Sequence, residues 1–296
     1  MKQINNSLIQ QKSNYLVVWS ILIISSIYSS VFSLSAQNSK LFLIAGQSNA
    51  VGNSDDVTKS PNCILGTAFE YNILTDEFQF LKDPIGQNFN NLHQGKGSIG
   101  PAFAKTLNSI TGEKILIVSA ARGGASNSVK GELLAYGTWD ETGNLKVFEF
   151  AVSKVNQAIK KSGIPLSGII WLQGERDANA ILAGKETESE YKLALEKLIS
   201  RFRIQFGSKL PFYIVLTGLQ TNVAATGSLV VRKVQCEIAK TVPNVHVAYT
   251  STNTFPTKGW LWDYVHYKQE AYNSIGDSVA RFVSTLKQDT ISHKQN

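Results

Sequence analysis

Five short runs are largely apolar on successive residues, not alternate ones: Leu41 to Ala45, Ile115 to Ser119, Gly168 to Leu172, Phe212 to Thr217 and Val245 to Tyr249. A strand with one wet face alternates polar and apolar residues. One buried on both faces does not, so these runs predict strands sandwiched between two layers. Stretches with helical spacing stand between them, around 101–110, 145–161, 188–206 and 228–241, with a last one over 268–286. Gly112, Gly163 and Gly207 follow three of these stretches, and Pro165, Pro211 and Pro243 come soon after, as expected where helices stop. Strand alternating with helix requires a mostly parallel sheet of about five strands with helices on both sides, an α/β three-layer sandwich. Residues 53–97 break the pattern: "AFEYNILTDEFQFL" reads as a β-hairpin or irregular insertion, and "GQNFNNLHQGKGS" as a loop.

The first 36 residues have a different character. Lys2 and Lys12 precede the apolar stretch "YLVVWSILIISSIYSSVFSLSA", with no Asp or Glu among them. A basic start, a hydrophobic middle and small residues before Gln37 predict a secretory signal peptide cleaved near Ser35 or Ala36, and hence export to the periplasm or outside the cell. An uncleaved anchor over Tyr15 to Leu34 is the competing reading. No linker or repeat divides 37–296, so a single domain is expected there. The formal charge of +7 comes from lysines and arginines scattered among acids, which gives no case for nucleic acid and no stable membrane partner. Cys63 and Cys236 are the only cysteines, and the sequence leaves their pairing open.

Ligands of open parallel sheets sit beyond the carboxyl ends of the strands. Here those ends run into Gly46-Gln47-Ser48-Asn49, Ala121-Arg122-Gly123-Gly124, Gln173-Gly174-Glu175-Arg176-Asp177 and Gly218-Leu219-Gln220. A serine at such a place becomes a nucleophile only if a base takes its proton. Of four histidines, His293 lies in a polar tail, His246 inside a strand, and His93 in the inserted loop without a nearby acid. His266 follows Asp263 by three residues in "WDYVHY", where the acid can hold one ring nitrogen and leave the other for Ser48. A plain helix-start histidine with Asp263 as cap explains the same residues. Donors for a developing oxyanion are offered by the backbone N–H groups of Ser48 and Gly123 and the side chain of Gln173; a tight turn and a strand-end contact are the alternatives for the last two.

The blocks "LFLIAGQSNAVG", "SAARGGAS", "WLQGERDA" and "DYVHY", in this order, resemble SGNH-type carbohydrate acetylesterases. The group in question includes sialate O-acetylesterases and the acetylxylan esterases of carbohydrate esterase family six. The resemblance spans roughly 40–285 and implies a flavodoxin-like SGNH hydrolase fold and a serine esterase acting on acetylated carbohydrate, with no cofactor or metal. It implies Ser48 as nucleophile, His266 as base and Asp263 as its partner, with Ser48, Gly123 and Gln173 around the oxyanion. Glu175 stands as an alternative acid or as a brace for the loops, and Gly124 as an alternative donor. Asn49, Arg122, Gly124 and Trp139 are the candidate sugar contacts, although a buried tryptophan accounts for Trp139 equally. A lipase or thioesterase lacks its G-x-S-x-G motif here. A non-catalytic carbohydrate-binding protein on the same fold stays open.

Overall fold

The computed structural model describes residues 38–86 and 96–292. The expected signal peptide, His93 and His293 lie outside the described residues. Seven strands form one sheet: β1 (Ser39–Gly46), β2 (Ala68–Asn72), β3 (Glu77–Phe80), β4 (Lys114–Ala121), β5 (Leu166–Leu172), β6 (Phe212–Val215) and β7 (Val245–Tyr249). Their order across the sheet is β3-β2-β4-β1-β5-β6-β7. The pairings β2–β4, β1–β5, β5–β6 and β6–β7 are parallel, and the β2–β3 hairpin is antiparallel.

All five expected strands are present, and they form the core of the sheet. The expectation of about five strands falls short by two, because the hairpin from "AFEYNILTDEFQFL" adds to the sheet beside β4 instead of lying apart from it. Leu74 N–H donates to Asn72 Oδ1 and Asp76 takes a positive φ of 51°, which together turn that hairpin.

The apolar runs are explained by two cores. Leu41, Leu43 and Ala45 of β1 enter one core, while Phe42 and Ile44 enter the other. The same division recurs in β4, β5 and β6, with Trp171 and Ile214 on the first side and Ile170 and Val215 on the second. Each buried aliphatic or aromatic side chain contributes about 1.5–3 kcal/mol, enough to offset the roughly 1–2 kcal/mol that ordering its backbone costs.

The first core is covered by α3 (Val147–Ser162), α5 (Glu188–Phe206) and α6 (Thr226–Thr241), the second by α2 (Gly100–Thr111) and α7 (Gln269–Ser292). Gly112 and Gly163 end α2 and α3 in the left-handed conformation, and a Thr187–Glu190 capping box opens α5. Two short helices went unexpected: α1 (Ser48–Val51) and α4 (Glu175–Leu182), each starting directly at a strand end.

The winding reverses at β1, which lies between β4 and β5. The route from β1 to β4 passes through α2 on one face, and the route from β4 to β5 through α3 on the other. Reversal at a central strand opens a crevice above its carboxyl end, flanked here by the ends of β4 and β5.

Candidate active site

The crevice is built on Gly46, the last residue of β1. Its φ is +141°, and a Cβ there would stand 1.9 Å from the carbonyl oxygen of Leu172, so only glycine fits. The neighbouring strand ends pin this corner. Gln47 N–H donates to Leu172 O at 3.0 Å, Arg122 N–H to Gly46 O at 3.2 Å, and the indole N–H of Trp139 also to Gly46 O at 3.2 Å. The chain then enters α1, and the N–H groups of Ala50 and Val51 close back on Gln47 O. The N–H of Ser48, in the first turn, is left without an intrahelical acceptor.

Above this corner lies a cavity of ≈210 Å³. Ser48, Gly123, Gly124 and His266 all line it, and Ser48 is half-buried. The N–H groups of Gly123 and Gly124 donate to no acceptor among the described residues. A larger groove of ≈760 Å³ between α3 and α5 contains none of the residues singled out from the sequence.

His266 is held by a tight loop. Asp263 Oδ1 accepts the N–H groups of Val265 (2.7 Å) and His266 (2.6 Å), while Asp263 Oδ2 lies 2.6 Å from His266 Nδ1. Burial alone would raise the Asp263 carboxyl, but the hydrogen bonds from His266 and Val265 outweigh it and hold the group below the usual aspartate range. The ring of Trp262 stacks beside His266 with centroids 6.0 Å apart and planes at 23°, fixing the imidazole from its face.

Glu175 has a different position. It is buried, and its Oε1 accepts from Asn49 Nδ2 at 2.7 Å. Burial pushes this carboxyl up, against the lowering effect of the Asn49 bond and of nearby His266. The acid that contacts the histidine ring is therefore Asp263, and Glu175 braces the serine segment. Asn49 also donates to Val265 O at 3.3 Å and accepts from Tyr272 Oη at 2.8 Å. This one side chain joins the serine turn, the histidine loop, α4 and α7.

Four expected contacts are placed elsewhere. Gln173 is buried and does not line the cavity: its Nε2 donates to Asp177 Oδ2 and sits 3.4 Å from both Gln47 Oε1 and Ala125 O, so its amide contacts the loop framework. Asn49 is the buried brace just described and does not line the cavity. Arg122 turns away, with Nε on Tyr136 O (2.8 Å) and Nη2 on Ala135 O (3.2 Å), which shapes the loop after β4. Trp139 is fully buried and packs edge-on against Trp171 with centroids 5.1 Å apart, so it is core and cannot stack on a sugar. Gly124 does line the cavity, with φ +72° and the Tyr136 ring where a Cβ would sit.

Other lining residues drew no role from the sequence. Gln47 Oε1 receives the N–H groups of Gly174 (3.4 Å) and Arg176 (3.1 Å), which tethers the start of α4 to the serine turn. Arg176 and the half-exposed Tyr264 also face the cavity. Gln47 and Arg176 stand inside the blocks "GQSN" and "QGERD", and that adjacency was the available signal.

Comparison with known proteins gives a family and a shared fold. The family model described as carbohydrate esterase, sialic acid-specific acetylesterase, matches residues 38–285. No curated protein matches the sequence. Among solved structures, a protein from Arabidopsis thaliana is similar with a TM-score of 0.62 at 19% identity, covering 84% of this chain and 98% of that one. NanS is similar with a TM-score of 0.61 at 15% identity, covering 85% and 98%. A carbohydrate acetylesterase from Xanthomonas citri gives 0.53 at 17% identity, covering 81% of this chain and 54% of that one. Identities this low establish the shared fold.

Proposed function

Because the chain belongs to the carbohydrate esterase family of sialic acid-specific acetylesterases, we propose that it removes O-acetyl groups from carbohydrate through an acetyl-serine intermediate at Ser48. The observation that carries this reading is one cavity lined by Ser48, Gly123 and His266, with the far ring nitrogen of His266 2.6 Å from Asp263.

In this mechanism His266 Nε2 takes the Ser48 proton as Oγ attacks the acetyl carbonyl. Asp263 holds Nδ1 and balances the charge that forms on the ring. The oxyanion is met by the unpartnered N–H groups of Ser48 and Gly123, fixed by the pinned ends of β1 and β4. Each such donor is worth roughly a hundred- to a thousandfold in rate. His266 then returns its proton to the departing sugar oxygen. Water, activated by the same imidazole, releases acetate and restores the serine.

Gln173 is left out of this scheme: its Nε2 donates to Asp177 Oδ2, and the residue is not among those lining the cavity. The proposal extends to residues 37–296 acting as a single esterase domain, exported after removal of residues 1–36.

Acetate release from acetylated glycans by the wild type, lost in Ser48→Ala, is the test. A folded wild type that binds acetylated glycan without releasing acetate would replace this reading with that of a binding protein.

A further inference from the structure

We propose that the small pocket beside Arg176 is a second sugar subsite, so that the acetyl ester is cut from a sugar still joined to its glycosidic neighbour. The inference rests on the esterase reading above and adds the length of chain that the site takes.

The pocket, of ≈110 Å³, is lined by residues of α4 and of the loop after β4. Arg176 and Asn179 line both it and the reaction cavity, and they stand one turn apart on the same face of α4. One turn of helix is therefore a wall common to the two spaces. At ≈210 Å³ the reaction cavity alone falls short of the roughly 300 Å³ at which ligand sites begin, and the two spaces together reach it.

Both walls are fixed by the fold. Asp177, buried in α4, accepts the N–H groups of Asn127 at 3.0 Å and Ser128 at 2.9 Å. Ser128 Oγ in turn accepts the N–H of Lys130 at 3.1 Å, which clamps the loop to the helix. Farther along the loop, the Glu132 carboxylate accepts the N–H groups of Asn144 at 3.0 Å and Leu145 at 3.1 Å. Asn179 is held as well, because its amide exchanges two hydrogen bonds with that of Gln220, at 2.9 and 3.3 Å.

What remains unspent suits a sugar. Arg176 is anchored by Nε on Gly124 O at 3.2 Å and lies over the Tyr136 ring, 5.4 Å from its centroid. Its two terminal nitrogens have no hydrogen bond or ion pair among the described residues, and neither has the ammonium of Lys185, which also lines the pocket. Leu133, 43% exposed, and Ala183 add apolar surface. A pyranose carries both complements: hydroxyl oxygens that accept from charged donors, and C–H groups that bury against apolar atoms. A linked sugar reacting at Ser48 brings such a neighbour to the shared wall, whereas a lone monosaccharide leaves these donors to water. Deacetylation then comes before hydrolysis of the glycosidic bond, not after it.

The test compares acetate release from one acetylated sugar in two settings, as its methyl glycoside and linked to further sugars, with the acetyl group on the same hydroxyl. O-acetylated sialic acid is compared with O-acetylated sialyl-lactose, and acetylated xylose with acetylated xylotriose. For the sugar that is turned over, kcat/KM of the linked form is expected to exceed that of the methyl glycoside by roughly tenfold or more, mostly through KM, as one hydrogen bond from a charged donor supplies. Ala183 is exposed and does not line the reaction cavity, so Ala183→Trp fills the side pocket and brings the ratio close to one.

A wild-type ratio near one overturns the assignment, as does an unchanged ratio in a folded Ala183→Trp. If the tryptophan variant does not fold, Lys185→Ala, at an exposed position, decides: the ratio falls at least twofold or the assignment fails. Turnover of 4-nitrophenyl acetate that Ser48→Ala abolishes keeps the esterase reading, and with no linked sugar turned over this one falls alone. A folded wild type that hydrolyses no acetyl ester defeats both.

Discussion

Asn49 holds the serine turn and the histidine loop in a single network, so its removal is expected to cost far more than one hydrogen bond. Asn49→Ala leaves the Glu175 carboxyl and the Tyr272 hydroxyl buried without their partner. A loss of about 2–6 kcal/mol in urea unfolding is predicted, at about 1–3 kcal/mol for each of the two orphaned groups. A loss under about 0.5 kcal/mol would show that the network is dispensable. Asp263→Asn keeps the shape of the loop but removes the charge beside the ring, and a fall in kcat of roughly a thousandfold or more is predicted from stopped acetate assays. Equal activity would return the orienting role to Glu175. The lowered pKa of Asp263 also has a stability consequence: the fold favours its ionised form. That contribution is present above the unfolded aspartate pKa of about 3.9 and is lost as pH falls through the lower folded value. At this scale Ser48, Asp263 and His266 were legible because a strand-end serine and an Asp-x-x-His spacing are local features of sequence. Trp139 and Arg122 were not, because burial and the direction of a side chain depend on residues far away in the chain.

Elements place these residues, and the corner at Gly46 is the least tolerant of change. Gly46→Ala sets a methyl group against the Leu172 carbonyl. A destabilisation above about 3 kcal/mol is predicted, or failure to fold, read by thermal melting. The five core strands were legible from their unbroken apolar runs, since both faces of each strand enter a core. The hairpin was readable as a hairpin but not as part of the sheet, because its pairing with β4 is non-local. Helix α4 escaped notice because it is eight residues long and only Gln173 and Gly174 separate it from β5. Its start is fixed by Gln47, a contact from another strand end.

Across the whole molecule, the order β4-β1-β5-β6-β7 puts the reversal of winding at β1, and that topology places the site more than any motif does. Cys63 and Cys236 are free thiols, Cys63 buried and its thiol pushed up to about 11 by burial. Reducing agent should therefore leave the melting temperature unchanged, and a clear drop would reveal a disulfide. Alkaline pH is a different matter. Burial, with Asp177 nearby, raises Glu186 to about 9. The folded protein then keeps a proton that the unfolded chain has lost, so stability declines as pH rises from the unfolded glutamate value of about 4.3 toward about 9. Glu186→Gln should flatten that decline between pH 5 and pH 9 in urea titrations, and an unchanged slope would remove Glu186 as its source.

Every step of the proposed reaction depends on Ser48 carrying the acetyl group. Acetate release from an acetylated sugar by the purified protein, wild type against Ser48→Ala, tests it most directly. A fall of roughly a thousandfold or more, in a variant with unchanged fold, is the predicted result. Acetate release at the wild-type rate from Ser48→Ala would contradict the account.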